Sequence, residues 1–393
     1  MASRISFGQI SNRILDRLFT NYNKLEGIQN QLATGKKVNS ASDNPVNASQ
    51  SLEIRSELDQ FKSFQRNVDD GLAYLGTVDS TLNTGNNLYQ SMRERAIQAS
   101  NDTNSAESRF YIGREVRGMF DQMVALSNTA FKGEYIFSGT NSQVPPYELR
   151  SGASKVVNGA GVLSGNMNYL GAGVQMDLID KNVDDSKDTI TSDANPVLII
   201  PGTLKVNGLT EGTDFTMDYV KGRITFTSPA ATAMVASGNA DITYDWLRRN
   251  EKDLDGVMNR EIEEGLSARI NSTASDVYGS KTEANGAWEA MINLMEGTIN
   301  NKPAKIRTSL DQLDSAFKRQ LTAQATNGAR VQRFEGTQSR NDERTVYTTK
   351  LQSEVEDVDF AQAISDFNLQ QAVYDASLKM GARALQNTLV NFL

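Results

Sequence analysis

Cysteine and histidine are both absent from this 393-residue sequence. Without cysteine there is no disulfide support, and the redox compartment is left open. Without either residue no Ser-His-Asp or Cys-His arrangement can be built, nor a zinc site of the usual ligands. No run of roughly 18 apolar residues occurs, so no membrane-spanning helix is expected. Positive charge is in deficit: the net charge is −8 and the pI about 4.9, which argues against a nucleic-acid partner. The first residues, Met1-Ala2-Ser3-Arg4-Ile5-Ser6, carry no apolar signal core, so ordinary cleaved secretion is not expected.

Carboxylates, lysines and serines remain available for chemistry, but no spacing singles any of them out. Thr34-Gly35-Lys36-Lys37 matches only the end of a phosphate loop, because Asn30 stands where a glycine is needed and Lys37 where Ser or Thr is needed. Asp184, Asp185, Asp188 and Asp193 lack the ligand alternation and central glycine of a calcium loop and read as solvated loop. No catalytic residue, metal site or cofactor is expected.

What the chain has is two ends that match each other. Leu15, Leu18, Tyr22, Leu25 and Leu32 fall on alternating three-and-four spacing, with Ser11 and Gln29 in the same register. Ile364, Phe367, Tyr374, Leu378, Leu385, Leu389 and Phe392 continue the pattern to the last residues. Such a narrow apolar strip is a coiled-coil seam that needs a partner helix, and these twelve apolar residues are the candidate assembly interface. Residues 1–37 carry a net +4 and residues 351–393 a net −4, which favours pairing of the two segments. The pattern is that of an assembling protein rather than an enzyme.

The spacing predicts a first helix from about Ser6 to Ala33, ended by Gly35. Asp43 or Asn44 caps the next helix and Pro45 opens it. Ile54, Leu58, Phe61, Val68, Leu72, Leu75, Leu82 and Tyr89 share one heptad register there, interrupted by Gln65, Asp79 and Asn86. Asn101-Asp102-Thr103-Asn104 breaks it, and a third helix carries Ile112, Val116, Met119, Met123 and Leu126. After Pro145-Pro146 glycine becomes frequent and β-type runs appear. Asn207-Gly208 signals a hairpin, Asp214–Tyr219 and Arg223–Phe226 form another, and Asp241–Tyr244 reads as a strand. Strands from about 197 to 245 read as a self-contained unit. Helical periodicity returns with Trp288, Ile292 and Met295, and Pro303 opens a helix holding Ile306, Leu310, Leu313 and Phe317. Asn327-Gly328 marks a turn, after which one long helix continues to the C-terminus.

The fold class expected is mainly α with a β-rich insertion: a long antiparallel helical bundle built from both termini, with a projecting β domain. Residues 1–44 and 357–393 form a terminal helical coiled-coil domain, 45–145 and 276–356 a helical rod domain, and 146–275 the β-rich domain.

Several segments resemble one family. Gln31-Leu32-Ala33-Thr34-Gly35-Lys36-Lys37-Val38-Asn39-Ser40-Ala41-Ser42-Asp43-Asn44-Pro45 is similar to the N-terminal signature of the flagellin superfamily. So are Arg66-Asn67-Val68-Asp69-Asp70-Gly71-Leu72 and Met92-Arg93-Glu94-Arg95-Ala96-Ile97-Gln98-Ala99-Ser100-Asn101. The C-terminal match is Asn327-Gly328-Ala329-Arg330 and Val355-Glu356-Asp357-Val358-Asp359-Phe360-Ala361. Gly133-Glu134-Tyr135-Ile136-Phe137-Ser138-Gly139-Thr140, Asp43-Asn44-Pro45-Val46 and Ser51–Leu58 resemble the hook–filament junction branch of that superfamily more than flagellins themselves. Asn44 departs from the second Asp of that branch, and the middle is longer than in its shortest members.

The resemblance implies a flagellin-like fold and a structural role. It implies export through the flagellar type III apparatus with a cytoplasmic chaperone. Outside the cell it implies a ring of about eleven copies between the other hook-associated junction protein and flagellin, with the terminal helices as an inner tube. Alternatives are a flagellin-type filament subunit, a cytosolic helical scaffold and a carboxylate-dependent hydrolase housed in the middle. A carbohydrate-binding or adhesive insertion is compatible with the junction reading.

Overall fold

The computed structural model describes residues 7–40, 44–157, 162–164, 167–169, 175–178, 198–236, 241–250, 254–279 and 286–390. They form two compact units, one from residues 1–66 and 338–393 and one from residues 67–337. In chain order the helices are α1 (Phe7–Thr34), α2 (Pro45–Ser100), α3 (Ala106–Ser127), α4 (Pro229–Ala236), α5 (Ala274–Tyr278), α6 (Ala287–Ile299), α7 (Pro303–Glu356) and α8 (Phe360–Val390). The strands are β1 (Ala130–Phe131), β2 (Glu134–Tyr135), β3 (Tyr147–Val157), β4 (Val162–Ser164), β5 (Met167–Tyr169), β6 (Gln175–Leu178), β7 (Leu198–Ile199), β8 (Lys205–Val206), β9 (Phe215–Asp218), β10 (Arg223–Phe226), β11 (Asp241–Arg249), β12 (Asn259–Glu263) and β13 (Leu266–Arg269).

In the first unit α1 stops where the sequence says it should. Gly35 takes φ +71°, a conformation that costs glycine nothing, and its N–H donates to the Gln31 carbonyl at 2.9 Å. Asn44 caps α2, its side-chain oxygen accepting from the Asn47 N–H at 3.1 Å, and Pro45 is the first helical residue. The last break lies elsewhere than expected. α7 runs through Asn327-Gly328 and ends at Glu356, where Asp359 caps α8 by accepting from the N–H groups of Ala361 and Gln362. The expected turn at Asn327-Gly328 is therefore absent. Asn327 is buried, and its amide donates to the Leu75 carbonyl at 3.0 Å, so it serves as a polar contact between helices.

In the second unit the heptad residues of α2 are core. Val68, Leu75, Leu82 and Tyr89 are buried, with Asn86 bonded to Gln324 at 2.6 Å as a polar layer. Helices of this length depend on such packing for their stability. Phe120, Tyr147, Tyr278 and Trp288 form an aromatic cluster, with the Tyr278 and Trp288 rings stacked at 5.1 Å and Tyr147 at 4.7 Å from Trp288.

The β-rich region contains a sheet ordered β4-β3-β11-β7, with β8 also on β11, and a sheet ordered β5-β6-β10-β9. β11 pairs with β3 along its whole length, from Asp241↔Lys155 to Arg249↔Tyr147. Ile242, Tyr244 and Trp246 alternate inward. β9 and β10 form the expected hairpin, turning at Gly222 with φ +65°. Asn207-Gly208 makes a tight turn, with Val206 bridged to Leu209, but β8 gives its ladder to β11 instead of a sequence neighbour. The expectation of a self-contained unit over 197–245 is corrected: β11 and β10 find partners in β3 and β6, so this architecture begins at Tyr147. A hairpin missed in the sequence, β1-β2, turns through Lys132 (φ 52°) and Gly133 (φ 86°). The acidic run Asp184–Asp193 lies outside the described residues.

Candidate assembly surface

The first unit carries the predicted interface residues. α1 and α8 pack against each other through two lines of side chains on heptad spacing. On α1 the half-buried line is Ile14, Leu18, Asn21, Leu25, Ile28 and Leu32. On α8 the facing line is Phe367, Gln370, Tyr374 and Ser377, half-buried, with Ala363 and Gly381 buried at its two ends. Asn21 donates its side-chain amide to the Ser377 hydroxyl at 3.0 Å, and the Gln370 amide donates to the Asn21 carbonyl at 3.2 Å. Gly381 admits Ile14, whose Cγ2 would stand 3.1 Å from a Cβ at that position.

Of the residues read from sequence, Leu18, Leu25, Leu32, Phe367 and Tyr374 lie on these lines. Leu15, Tyr22, Ile364 and Leu378 sit one step around the helices and are exposed. Tyr22 bridges the two sets, its ring 6.1 Å from that of Tyr374. Leu385 and Leu389 belong to α8, their side chains lying outside what is described, and Phe392 lies beyond the described residues. Further exposed apolar residues accompany them: Phe19 on α1, at 65%, and Leu369, Val373 and Met380 on α8. These two helices thus satisfy one face with each other and leave several large apolar side chains in water. Single exposed apolar residues are ordinary; by helical spacing Leu15, Phe19 and Tyr22 share one flank of α1, whereas Ile364 and Leu378 lie on one flank of α8 and Leu369, Val373 and Met380 on the other.

The root of this helix pair is held by charge. Glu356, 2% exposed, ends α7 and faces Arg55 of α2 in a forked pair, Nε to Oε1 at 2.7 Å and Nη2 to Oε2 at 2.9 Å. The Ser51 hydroxyl donates to Oε1 at 2.5 Å, the Gln352 amide donates at 3.1 Å, and Lys36 Nζ stands 3.1 Å from Oε2. Arg55, Ser51, Gln352 and Lys36 hold the Glu356 carboxyl well below the usual carboxylate range, outweighing its burial. Lys36 also pairs with Asp357 at 2.7 Å, which accepts from Ser353 at 2.5 Å. The backbone joins in: the Lys37 N–H donates to the Glu356 carbonyl at 2.6 Å, and the Val358 N–H donates to the Gly35 carbonyl at 3.0 Å. Among the described residues, the ion pairs between the basic N-terminal and acidic C-terminal segments are those of Lys36. The sequence signal was the opposite net charge of the two segments; nothing in their spacing identified Glu356 as the centre.

Among the described residues no group of three or more potential ligands could hold a metal ion, and no helix is long and apolar enough to cross a membrane.

The family model of the bacterial flagellin N-terminal helical region matches residues 5–142, and that of the bacterial flagellin C-terminal helical region matches residues 310–393. A flagellin of Clostridium tyrobutyricum is 21% identical over 98% of this chain and 99% of its own length. Flagellar hook-associated protein 3 of Escherichia coli is 23% identical over 89% of this chain and 86% of its own. A solved structure from Vibrio parahaemolyticus, described as a candidate flagellar hook-associated protein, aligns over 80% of this chain and all of its own. It does so with a TM-score of 0.50 at 14% identity, a likeness of fold.

Proposed function

Since this chain belongs to the bacterial flagellin family, whose N- and C-terminal helical regions together match more than half of it, we propose that it is a structural subunit of the flagellum placed where hook meets filament. The observation that carries the junction over the filament itself is the segment Gly133–Thr140. It is similar to the junction branch and is built into the core: Ile136 and Phe137 are fully buried, and Tyr74 donates its hydroxyl to the Ile136 carbonyl at 2.8 Å. The relation to flagellar hook-associated protein 3, which runs through the insertion as well as the ends, supports the same reading.

In this role residues 1–44 and 357–393 line the inner tube, 45–145 and 276–356 form the helical rod around it, and 146–275 projects outward. The partners are further copies in a ring of about eleven, the other hook-associated junction protein on one side and flagellin on the other. The chain reaches the cell exterior unfolded, through the flagellar export apparatus, after being held by a cytoplasmic chaperone. It catalyses nothing and uses no cofactor. The exposed apolar residues of α1 and α8 support this reading, because they gain their burial from neighbouring copies.

Electron microscopy of cells lacking the protein tests the proposal. Intact hooks without filaments, with flagellin shed into the medium, is the expected picture. A second reading, a filament subunit, is favoured by the full-length relation to a flagellin. It replaces the first if purified protein alone grows long filaments, or if the deletion only shortens or thins filaments.

A further inference from the structure

The α1 and α8 lines match poorly as a code. α1 offers Ile14, Leu18, Leu25, Ile28 and Leu32, nearly uniform aliphatic sockets broken only by Asn21. α8 alternates small and large residues: Ala363, Phe367, Gln370, Tyr374, Ser377, Gly381. A slide of one heptad, about 10 Å along the axis, would keep the two lines facing each other and set Tyr374 against another aliphatic stretch of α1, with Phe367 then meeting Asn21 or the end of α1. Aliphatic contacts therefore discriminate weakly between the two alignments. The features that do discriminate are Ile14 over Gly381, the hydrogen bonds of Asn21 with Ser377 and Gln370 in mid-line, and the charge cluster at the root.

We propose that Glu356 is a positioning residue that sets the register of α1 against α8 by locking the α1–α2 connection to the α7–α8 connection. The geometry fits a lock rather than a loose surface pair. One buried carboxylate collects Lys36 from just after α1, Ser51 and Arg55 from α2, and Gln352 from its own helix. Its own carbonyl accepts from Lys37, while Val358 bonds back to Gly35. Gly35 and Val358 are thus fixed face to face, one residue beyond α1 and two before α8. From fixed starting points two helices of constant rise meet in one alignment only. Register is set within a single copy, whether or not copies assemble.

The test uses the absence of cysteine. Asn21→Cys with Ser377→Cys in the full-length chain places a thiol pair across the mid-line and removes the side-chain hydrogen bond there, leaving the root as the main register key beside the Gln370 amide on the Asn21 carbonyl and Ile14 over Gly381. In dilute monomer, oxidation should give an intrachain disulfide in most molecules. Adding Glu356→Gln should cut the yield roughly tenfold, and Arg55→Gln should reproduce the loss, because each breaks the same buried pair. Far-UV circular dichroism should change little, since the helices slide without melting. An unchanged disulfide yield overturns the proposal. So does a yield lost together with helix content, which would make the cluster a fastening that keeps these helices folded and not one that selects their alignment.

Discussion

The ring of Phe334 on α7 lies directly on the backbone of Gly71 on α2, so close that a Cβ on Gly71 would collide with Cε1. Phe334 is fully buried, and the absence of a side chain at Gly71 lets α2 and α7 approach with that ring between them. Five residues along the same helix, Gly76 has nothing within 4 Å of a Cβ. The pair of glycines separates helix propensity from packing. Propensity alone gives alanine an advantage of about 1 kcal/mol at either position. Gly76→Ala should raise stability by about 0.4–1 kcal/mol. Gly71→Ala should lower it by about 1–3 kcal/mol, because overpacking outweighs the propensity gain. Guanidinium unfolding of the two variants decides, and equal shifts of the same sign would contradict the close approach.

The Glu356 cluster makes the terminal helix pair sensitive to acid. In the folded chain Arg55 first, then Ser51, Gln352 and Lys36, hold the carboxyl well below the ordinary glutamate value of 4.5. Asp357 is lowered too, chiefly by its hydrogen bond to Lys36, and Lys36 is raised by Asp357 and Glu356. A depressed carboxylate contributes stability that is fully present above its unfolded pKa and is lost as pH falls toward its folded one. Protection of the α1–α8 pair should therefore be flat near neutrality and decline between about pH 5 and about pH 3. The Glu356→Gln chain should show a much smaller decline across that window. An equal acid response in both chains would assign it to other carboxylates.

Hydrogen exchange should grade along the terminal pair. Near the root, Gly35, Val358 and the buried Ala363 are tied by backbone bonds and packing. Farther out, the contacts are Asn21–Ser377 and Gly381 beneath Ile14, with little large apolar burial on the α8 side. Amides of residues 28–36 and 358–367 in the isolated chain should exchange more slowly than those of 12–20 and 376–383, and both more slowly once copies assemble. Protection in α2 around Leu75 and Leu82 should exceed both. Uniform protection along the terminal pair would contradict this ordering.

Much of this architecture was legible in the residues. Gly35, Asn44, Pro45 and Pro303 punctuate the helices by backbone chemistry that tertiary context did not override. The face that α1 and α8 turn to each other was legible only in part, through Leu18, Leu25, Leu32, Phe367 and Tyr374. α1 has apolar residues at both Ile14 and Leu15 and at both Leu18 and Phe19, so spacing supports two neighbouring lines equally. On α8 the inner line uses Ala363, Ser377 and Gly381, small residues that a search for hydrophobic periodicity passes over. Asn327-Gly328 failed as a turn signal because a buried helix can use an asparagine amide to bond a carbonyl on its neighbour. β11 shows the remaining limit: its first residues, Asp241–Tyr244, read as a strand, but the extension to Arg249 and the pairing with β3, about ninety residues earlier, follow from no local pattern.

Two leucines divide what the terminal helices do within one copy from what they do between copies. Leu25 lies half-buried on the line that α1 presents to α8, whereas Leu378 is 44% exposed on the flank of α8. A carboxylate at position 25 is forced among apolar neighbours of its own chain, at a cost of several kcal/mol unless the helix moves. At position 378 the same carboxylate stays in water until another copy approaches. Leu378→Asp should leave the monomer's helix content and terminal-pair protection unchanged while abolishing filament retention on the hook. Leu25→Asp should lose both, and Lys24→Gln, on an exposed position beside it, should lose neither. In cells, Leu378→Asp should resemble the deletion, with hooks present and filaments absent, although a folded protein reaches the medium. Normal filaments with Leu378→Asp would remove this flank from the assembly surface. A disrupted monomer would instead place Leu378 in the chain's own pairing, contrary to its exposure.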